Sequence, residues 1–154
     1  MKLASTHGIE TSVETNDHLS AAANEIQNRS ALCATENIVE KVEAFASANK
    51  KKVLYVLSFP ATTIAQRINE GRRWDQSFVD FLNRRGLPYV DLMEAHLADF
   101  AKYKLTAKEY LQQYFIGHYN PRGNLFCAFA LKDKLVEFLD PKPSPYRADA
   151  GVLR

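Results

Sequence analysis

Cysteine is scarce in this chain of 154 residues, and the two copies, Cys33 and Cys127, lie far apart without a CxxC or histidine-paired spacing. This spacing suggests neither a disulfide framework nor a zinc site, so we expect two buried free thiols. Long apolar runs are also missing: none approaches the ~20 residues of a membrane helix, and residues 1–28 lack the hydrophobic centre of a signal peptide. The sequence predicts no membrane partner and leaves the compartment open.

A strong excess of one charge is absent as well, because the formal net charge is only +2. The basic clusters at residues 50–52, 72–73 and 84–85 lie beside the ends of predicted elements, with no interleaved aromatic residues that could stack on bases. We therefore expect solvated surface and no nucleic-acid partner. A content of 46% apolar and 25% charged residues is typical of one globular domain.

Residues 1–34 are polar and weakly patterned, which predicts a weakly ordered segment or the remnant of an earlier strand and loop. Within this segment we predict a short helix around Leu19 to Arg29 and a strand around Gly8 to Val13. Thr35 is then a suitable N-cap for an amphipathic helix that ends near Asn49. The residues expected on its buried face are Ile38, Val39, Val42, Phe45 and Ala46.

Two segments read as strands of a parallel sheet. Residues 53–59 are apolar on both alternations, which is typical of a parallel strand covered by helices on both faces. Residues 89–92 form a shorter second strand. Between them, an apolar pattern from Trp74 to Leu82 predicts a helix closed by Gly86.

Three further helices are predicted after the second strand. One spans Met93 to Tyr103, and Thr106 opens the next with a capping box that includes Glu109. The last runs from Pro121 to about Leu139, and prolines then extend the tail, residues 141–154. The residues expected to face inward on the last helix are Leu125, Phe126, Phe129, Leu135, Val136 and Leu139.

This order of elements predicts an α/β fold, a three-layer α/β/α arrangement around a parallel sheet of the SGNH or flavodoxin-like kind. Two strands are too few for such a sheet, because a covered strand needs neighbours on both edges. We therefore interpret residues 35–140 as the C-terminal portion of an α/β hydrolase-like domain that is incomplete at its N-terminus.

The most informative stretch is the heptapeptide from His118 to Asn124, directly before the last helix. Asn120 is a favourable N-cap and Pro121 suits the first helical position, so His118 lies on a turn fixed by the helix that follows. An imidazole acts as a general base only when its nitrogen stays within hydrogen-bond reach of the reacting group. His118 is therefore the candidate catalytic residue; a structural turn histidine is the alternative.

The sequence of elements, with His118, Asn120 and Gly123 spaced as His-x-Asn-x-x-Gly, resembles the C-terminal half of an SGNH (GDSL-type) hydrolase. The resemblance covers roughly residues 35–139. It implies an ester hydrolase acting on carbohydrate, lipid or thioester acyl groups without a cofactor, in which His118 activates a serine hydroxyl.

Three positions depart from that family. No Gly-Asp-Ser tripeptide, where the family carries its nucleophile, occurs in the sequence, and Phe115 stands where an aspartate usually precedes the histidine. The family's Gly-x-Asn-Asp block has only an echo at residues 14–17, in which Asn16 would help to hold an oxyanion. The chain as given is then expected to be inactive by itself.

Other candidates have simpler interpretations. His96 is expected on a helix surface, Ser58 as a buried strand hydroxyl, and Asp91 in a structural role. Tyr119, beside His118, is a candidate to face a cleft. The other aromatic residues of this half, Tyr110, Tyr114, Phe115, Phe126 and Phe129, are expected in the core. The alternative function is a non-catalytic α/β module that associates through an exposed sheet edge.

Overall fold

A computed structural model describes Thr6 and residues 16–147. Helices make up 66% of the structure. In chain order the elements are α1 (Asn16–Ala48), β1 (Tyr55–Leu57), α2 (Ala61–Glu70), α3 (Gln76–Arg84), β2 (Tyr89–Asp91), α4 (Leu92–Phe100), α5 (Ala107–Gln112), α6 (Pro121–Phe138) and a 3-10 turn (Ser144–Tyr146).

The predicted three-layer α/β/α fold is wrong. Within residues 16–147 the sheet consists of β1 and β2 alone, three residues each, paired in parallel with Tyr55 opposite Tyr89 and Leu57 opposite Asp91. The apolar run around β1 is also not covered on both faces, since Val56 is 44% exposed. The parallel pairing was predicted correctly, but most of the buried apolar surface belongs to helices.

The chain divides into two compact units, and the first comprises Met1–Val53 and Trp74–Gly86. Its described part consists of α1 and α3. The core of this unit contains Leu32, Val39, Ala46, Phe78, Val79, Phe81 and Leu82. At its surface Arg85 pairs with Glu40 at 3.4 Å and lies over the ring of Phe81.

Helix α1 is a single helix of 33 residues rather than the shorter one predicted to begin at Thr35. Thr35 lies in its interior, where the side-chain hydroxyl donates to the carbonyl of Ala31 at 2.8 Å, so it is not an N-cap. Ile38 and Phe45, expected in the core, are 60% and 66% exposed. The strand predicted around Gly8 to Val13 lies outside the described residues.

The second unit comprises Leu54–Arg73 and Leu87–Arg154 and contains both strands. Its core is built around Ile64, Tyr110, Leu111 and Tyr114, which join α2 to α5. The sequence interpretation missed α2. The capping box at Thr106 is confirmed: its hydroxyl accepts from the Glu109 amide at 3.3 Å, and the Glu109 carboxylate accepts from the Thr106 amide at 2.8 Å.

Helix α6 begins as predicted, with Asn120 as N-cap and Pro121 at the first position. Its predicted inward face is largely wrong: Leu125 and Phe129 are 57% and 64% exposed, and only Phe126 packs against the core around Tyr114. Among the described helices, none combines the length and apolar character needed to cross a membrane.

Candidate active site

The turn before α6 is fixed by Asn120. Its side-chain oxygen accepts from the Gly123 amide at 2.9 Å, which caps the helix, and its side-chain amide donates to the carbonyl of Gln113 at 3.0 Å. The Asn120 backbone amide donates to the carbonyl of Tyr114, also at 2.9 Å. Asn120 thus connects the start of α6 to the segment that follows α5. These three hydrogen bonds determine the path of the turn between the two helices.

Residues 115–119 close on themselves and present His118 outward. Phe115 and Tyr119 form an antiparallel bridge, and the Ile116 amide donates to the carbonyl of His118 at 2.8 Å. Gly117 takes a φ of 92° at the tip, a left-handed conformation that side chains with a Cβ avoid. The result is a tight turn with an exposed histidine at its end.

The imidazole of His118 is oriented by a backbone group. Its Nδ1 lies 2.9 Å from the carbonyl oxygen of Tyr119. A carbonyl oxygen only accepts, so Nδ1 must carry the hydrogen, and the basic lone pair of the neutral ring is then on Nε2. Within the described residues Nε2 has no hydrogen-bond partner, so it is open to a group from outside them.

The glycine of the His-x-Asn-x-x-Gly pattern has a steric reason. A Cβ at Gly123 would collide with the carbonyl oxygen of Tyr114 and with the ring of Tyr119. The Tyr119 ring therefore occupies space that only a glycine leaves free. The same ring lies against Phe115, with ring centroids 4.2 Å apart, so Phe115 packs on the turn.

Behind the turn lies a buried histidine that the sequence interpretation misplaced. His96 on α4 is fully buried, not on a helix surface. Its Nδ1 is 3.0 Å from the hydroxyl of Tyr110 and its Nε2 is 3.0 Å from the hydroxyl of Tyr119. The ring also stacks on Phe126 with centroids 4.2 Å apart. Both nitrogens are thus satisfied by groups from α5 and from the turn before α6.

One arrangement of protons satisfies every group in this network. The Asp99 carboxylate accepts from the hydroxyls of Tyr110 (3.1 Å) and Tyr114 (2.8 Å). The single Tyr110 hydrogen lies within reach of both the Asp99 carboxylate and the backbone carbonyl of His96, the latter at 3.2 Å. When Asp99 accepts that hydrogen, the Tyr110 oxygen accepts from Nδ1–H of His96, and Nε2 of His96 accepts from the Tyr119 hydroxyl. His96 is then a neutral imidazole with both nitrogens hydrogen-bonded.

The protonation states follow from burial. Burial lowers the pKa of His96 from its ordinary 6.5 to about 4, although the nearby Asp99 charge opposes the shift. Burial likewise raises the pKa of the Tyr110 and Tyr119 hydroxyls, and that of Tyr114 to about 12. Near neutral pH the His96 ring and the hydroxyls of Tyr110, Tyr114 and Tyr119 are therefore all uncharged.

Ser58 and Cys127 adjoin the Tyr119 hydroxyl through hydrogen bonds that affect its pKa. Ser58 follows β1 directly and is exposed, so the prediction of a buried strand hydroxyl is wrong. Cys127 is half-buried, and burial raises the pKa of its thiol, which disfavours the reactive thiolate. Cys33 is exposed, contrary to expectation.

Asp91 has the structural role that was predicted. One oxygen of its carboxylate caps α4 by accepting from the Met93 amide at 3.0 Å, and the other pairs with Arg73 at 2.5 Å. Arg73 also reaches Glu94 at 3.2 Å and lies over the ring of Phe59. Because this arginine is almost fully buried and paired, it fixes the carboxyl end of β2 and offers no open charge to a ligand.

A shallow groove of about 350 Å³ lies beside the histidine turn, between α2 and α5. Gly117, the residue before His118, is one of its lining residues. Its lining is mostly apolar and includes Ala61, Ala65, Leu111 and Phe115, with Lys108 as the charged residue. It is a surface on which the apolar part of a small molecule could lie next to the turn.

Asn16, the predicted oxyanion donor, is the first residue of α1, and its side chain lies outside the described part of the structure. Within that part no cluster of three or more metal-ligating side chains occurs. No family model, curated protein or solved structure matches this chain. The site is therefore interpreted from its own geometry and from the sequence resemblance.

We expect Gly123→Ala to destabilise the protein by about 1–3 kcal/mol, the usual cost of overpacking a site that cannot yield. The added Cβ meets a backbone oxygen, which cannot rotate away as a side chain would. Urea denaturation measures the loss. Asn124→Ala, the next and exposed position, is the control and should change the free energy of unfolding by no more than about 0.5 kcal/mol. A Gly123→Ala protein of unchanged stability would contradict the steric role.

Stability should fall as the pH is lowered below 6.5. Between pH 6.5 and about 4 the unfolded chain binds a proton at His96 that the folded protein excludes, so the unfolded state is favoured, by about 3 kcal/mol at pH 4. Denaturation curves from pH 4 to 7.5 measure this dependence. In His96→Phe about one proton fewer should be taken up on unfolding near pH 5. Titration of His96 above pH 6 by NMR would refute the shift.

Proposed function

We propose that this chain carries the general base of an SGNH-type ester hydrolase, with His118 as the base and a serine hydroxyl as its partner. The observation that supports this proposal is the 2.9 Å hydrogen bond from Nδ1 of His118 to the Tyr119 carbonyl. It fixes the ring, selects the tautomer with a basic Nε2 and leaves that nitrogen exposed. A serine–histidine pair requires this arrangement of the imidazole.

The partner serine comes from a polypeptide outside this sequence in our proposal, because no Gly-Asp-Ser occurs within it. Nε2 of His118 would take the hydroxyl proton as the serine oxygen attacks the ester carbonyl, and return it to the leaving alcohol. The same nitrogen would then take a proton from a water molecule that attacks the acyl-serine, and return that proton to the serine oxygen as the acid is released. The apolar groove that Gly117 helps to line suits the acyl or alcohol part of an ester-bearing small molecule or carbohydrate. Such a pair hydrolyses esters without a cofactor.

The test begins with the DNA upstream of Met1. We expect an in-frame segment that encodes Gly-Asp-Ser after a predicted strand, and a protein extended by it should hydrolyse p-nitrophenyl acetate and react with a fluorophosphonate probe. His118→Ala in that protein should lose at least about 10³-fold in kcat, since the members of a serine–histidine unit act together. The chain of 154 residues alone should not be labelled.

Chemical rescue is the matched control for this variant. Imidazole added to His118→Ala should restore part of the activity if the missing group is a base, and circular dichroism should show an unchanged fold because His118 is exposed. Full hydrolysis by His118→Ala would remove the assignment. Probe labelling of the short chain that disappears in Ser58→Ala would place the nucleophile at Ser58 instead.

A second candidate function is supported by the sheet. Each strand pairs only with the other among the described residues, so each has an outer edge without a neighbouring strand, and Val56 on β1 is 44% exposed. A strand at the edge of a sheet, with an exposed apolar residue, favours strand addition. In this alternative the chain is a non-catalytic module that pairs with a second copy of itself along β1.

If the module hypothesis holds, sedimentation equilibrium of the chain should show a dimer, and Val56→Lys should shift it toward monomer because a lysine beside the edge opposes strand addition. Ile116→Lys is the control: Ile116 is 67% exposed, lies in the turn before α6, and its replacement should leave the dimer intact. A monomer at all concentrations would rule out pairing along β1. An equal loss of dimer in Val56→Lys and Ile116→Lys would rule it out as well.

A further inference from the structure

The mechanism proposed above uses His118 and does not use the buried histidine behind it. His96 is nevertheless connected to His118 through one residue, Tyr119. The Tyr119 hydroxyl bonds Nε2 of His96 at 3.0 Å, and the Tyr119 carbonyl bonds Nδ1 of His118 at 2.9 Å. The two ends of the same residue thus contact two imidazoles, one enclosed in the core and one exposed at the surface.

The Tyr119 side chain is held along its whole length. At the ring, Phe115 packs on one side with centroids 4.2 Å apart, and the missing Cβ of Gly123 provides the space for it. At the tip, the hydroxyl meets His96, whose other nitrogen is bound to Tyr110 at 3.0 Å. A ring fixed at both its face and its tip restricts rotation of its own backbone, and the carbonyl that orients His118 belongs to that backbone.

We propose that His96 is a positioning residue for His118 and acts through Tyr119. The inference rests on the proposed role of His118 as a base. By fixing the Tyr119 hydroxyl, His96 keeps the Tyr119 carbonyl in line with Nδ1 of His118 and so maintains the tautomer whose basic nitrogen is Nε2. His96 itself does not touch a substrate, because it is fully buried.

This role explains why a polar ring occupies the centre of an aromatic cluster. A phenylalanine at position 96 could stack on Phe126 as His96 does, at 4.2 Å between centroids, but it would leave the Tyr119 hydroxyl without its imidazole partner. The half-buried Tyr119 hydroxyl would then move toward its other partners, Ser58 and Cys127, or toward water. Either movement would displace the turn that presents His118.

The test is the tautomer of His118, read from the 15N chemical shifts of the ring in the full chain with labelled histidine, at a pH where the ring is neutral. Wild-type His118 should be mainly Nδ1–H, because the carbonyl holds that hydrogen. In Tyr119→Phe, which keeps the ring and removes the hydroxyl, the population should shift toward Nε2–H, the form that free imidazole side chains favour. A folded His96→Phe variant should show the same shift.

Two controls remove other hydroxyl and thiol bonds of the cluster. Tyr114→Phe deletes a buried hydroxyl that bonds Asp99 at 2.8 Å, and Cys127→Ala deletes the thiol beside Tyr119. Both should retain the wild-type tautomer of His118. A wild-type tautomer in Tyr119→Phe or in folded His96→Phe would overturn the proposal, as would an equal shift in either control.

Activity gives an independent readout in the extended protein. Tyr119→Phe should lower kcat by up to about 100-fold with little change in KM, because a misdirected base affects the reaction and not substrate binding. The two proposals fail separately. An inactive extended protein refutes the hydrolase function and leaves the tautomer result standing, whereas an unchanged tautomer refutes positioning whatever the activity.

Discussion

The burial of the His96 imidazole constrains the second unit more than any other interaction. A neutral imidazole enclosed in protein needs one acceptor and one donor, and an unsatisfied buried nitrogen costs about 1–3 kcal/mol. Its two partners, the hydroxyls of Tyr110 and Tyr119, come from α5 and from the turn before α6, while His96 itself is on α4. Three segments distant in sequence must therefore keep one geometry for the ring to stay buried.

The short sheet makes this aromatic cluster more important. Parallel strands usually lie under helices on both faces, but the 44% exposure of Val56 shows that β1 is not covered in this way. Six residues in two strands bury little surface. The second unit is instead stabilised by contacts among α2, α5 and the rings around His96, five of which have centroids within 6 Å of it. Buried Arg73, bound to Asp91, fixes the end of β2 on which α4 begins.

Local signals in the sequence predicted the elements whose cause is local. The capping box at Thr106, the N-cap at Asn120 and Pro121 at the first position of α6 were all correct, because each depends on residues within one helical turn. The side that each helix buries depends on what covers it. That is why Leu125 and Phe129, apolar at helical spacing, are exposed. The spacing of apolar residues predicts which residues share one face of a helix, but it does not predict which other element, if any, covers that face.

Histidine is ambiguous for a related reason. Its ring is buried or exposed according to whether both nitrogens find partners, and those partners lie 14 and 23 residues away from His96. A signal was present nonetheless, since Leu92, Met93, His96 and Phe100 recur at helical spacing and place His96 on the apolar side of α4. Such a stripe favours a buried histidine over a surface one, but it does not identify the tyrosines.

The proposed role of His118 raises the question of what supports its ring, because Phe115 stands where SGNH-type enzymes usually carry an aspartate. In a serine–histidine–aspartate unit the carboxylate orients the imidazole and also stabilises its positive charge after proton transfer. Phe115 occupies that position here, and the Tyr119 carbonyl orients the ring instead. A carbonyl dipole fixes the tautomer as well as a carboxylate does but stabilises the imidazolium less. The orientation of the His118 ring and the stabilisation of its positive charge are therefore separable in this turn. In our proposal Tyr119 and His96 maintain the orientation.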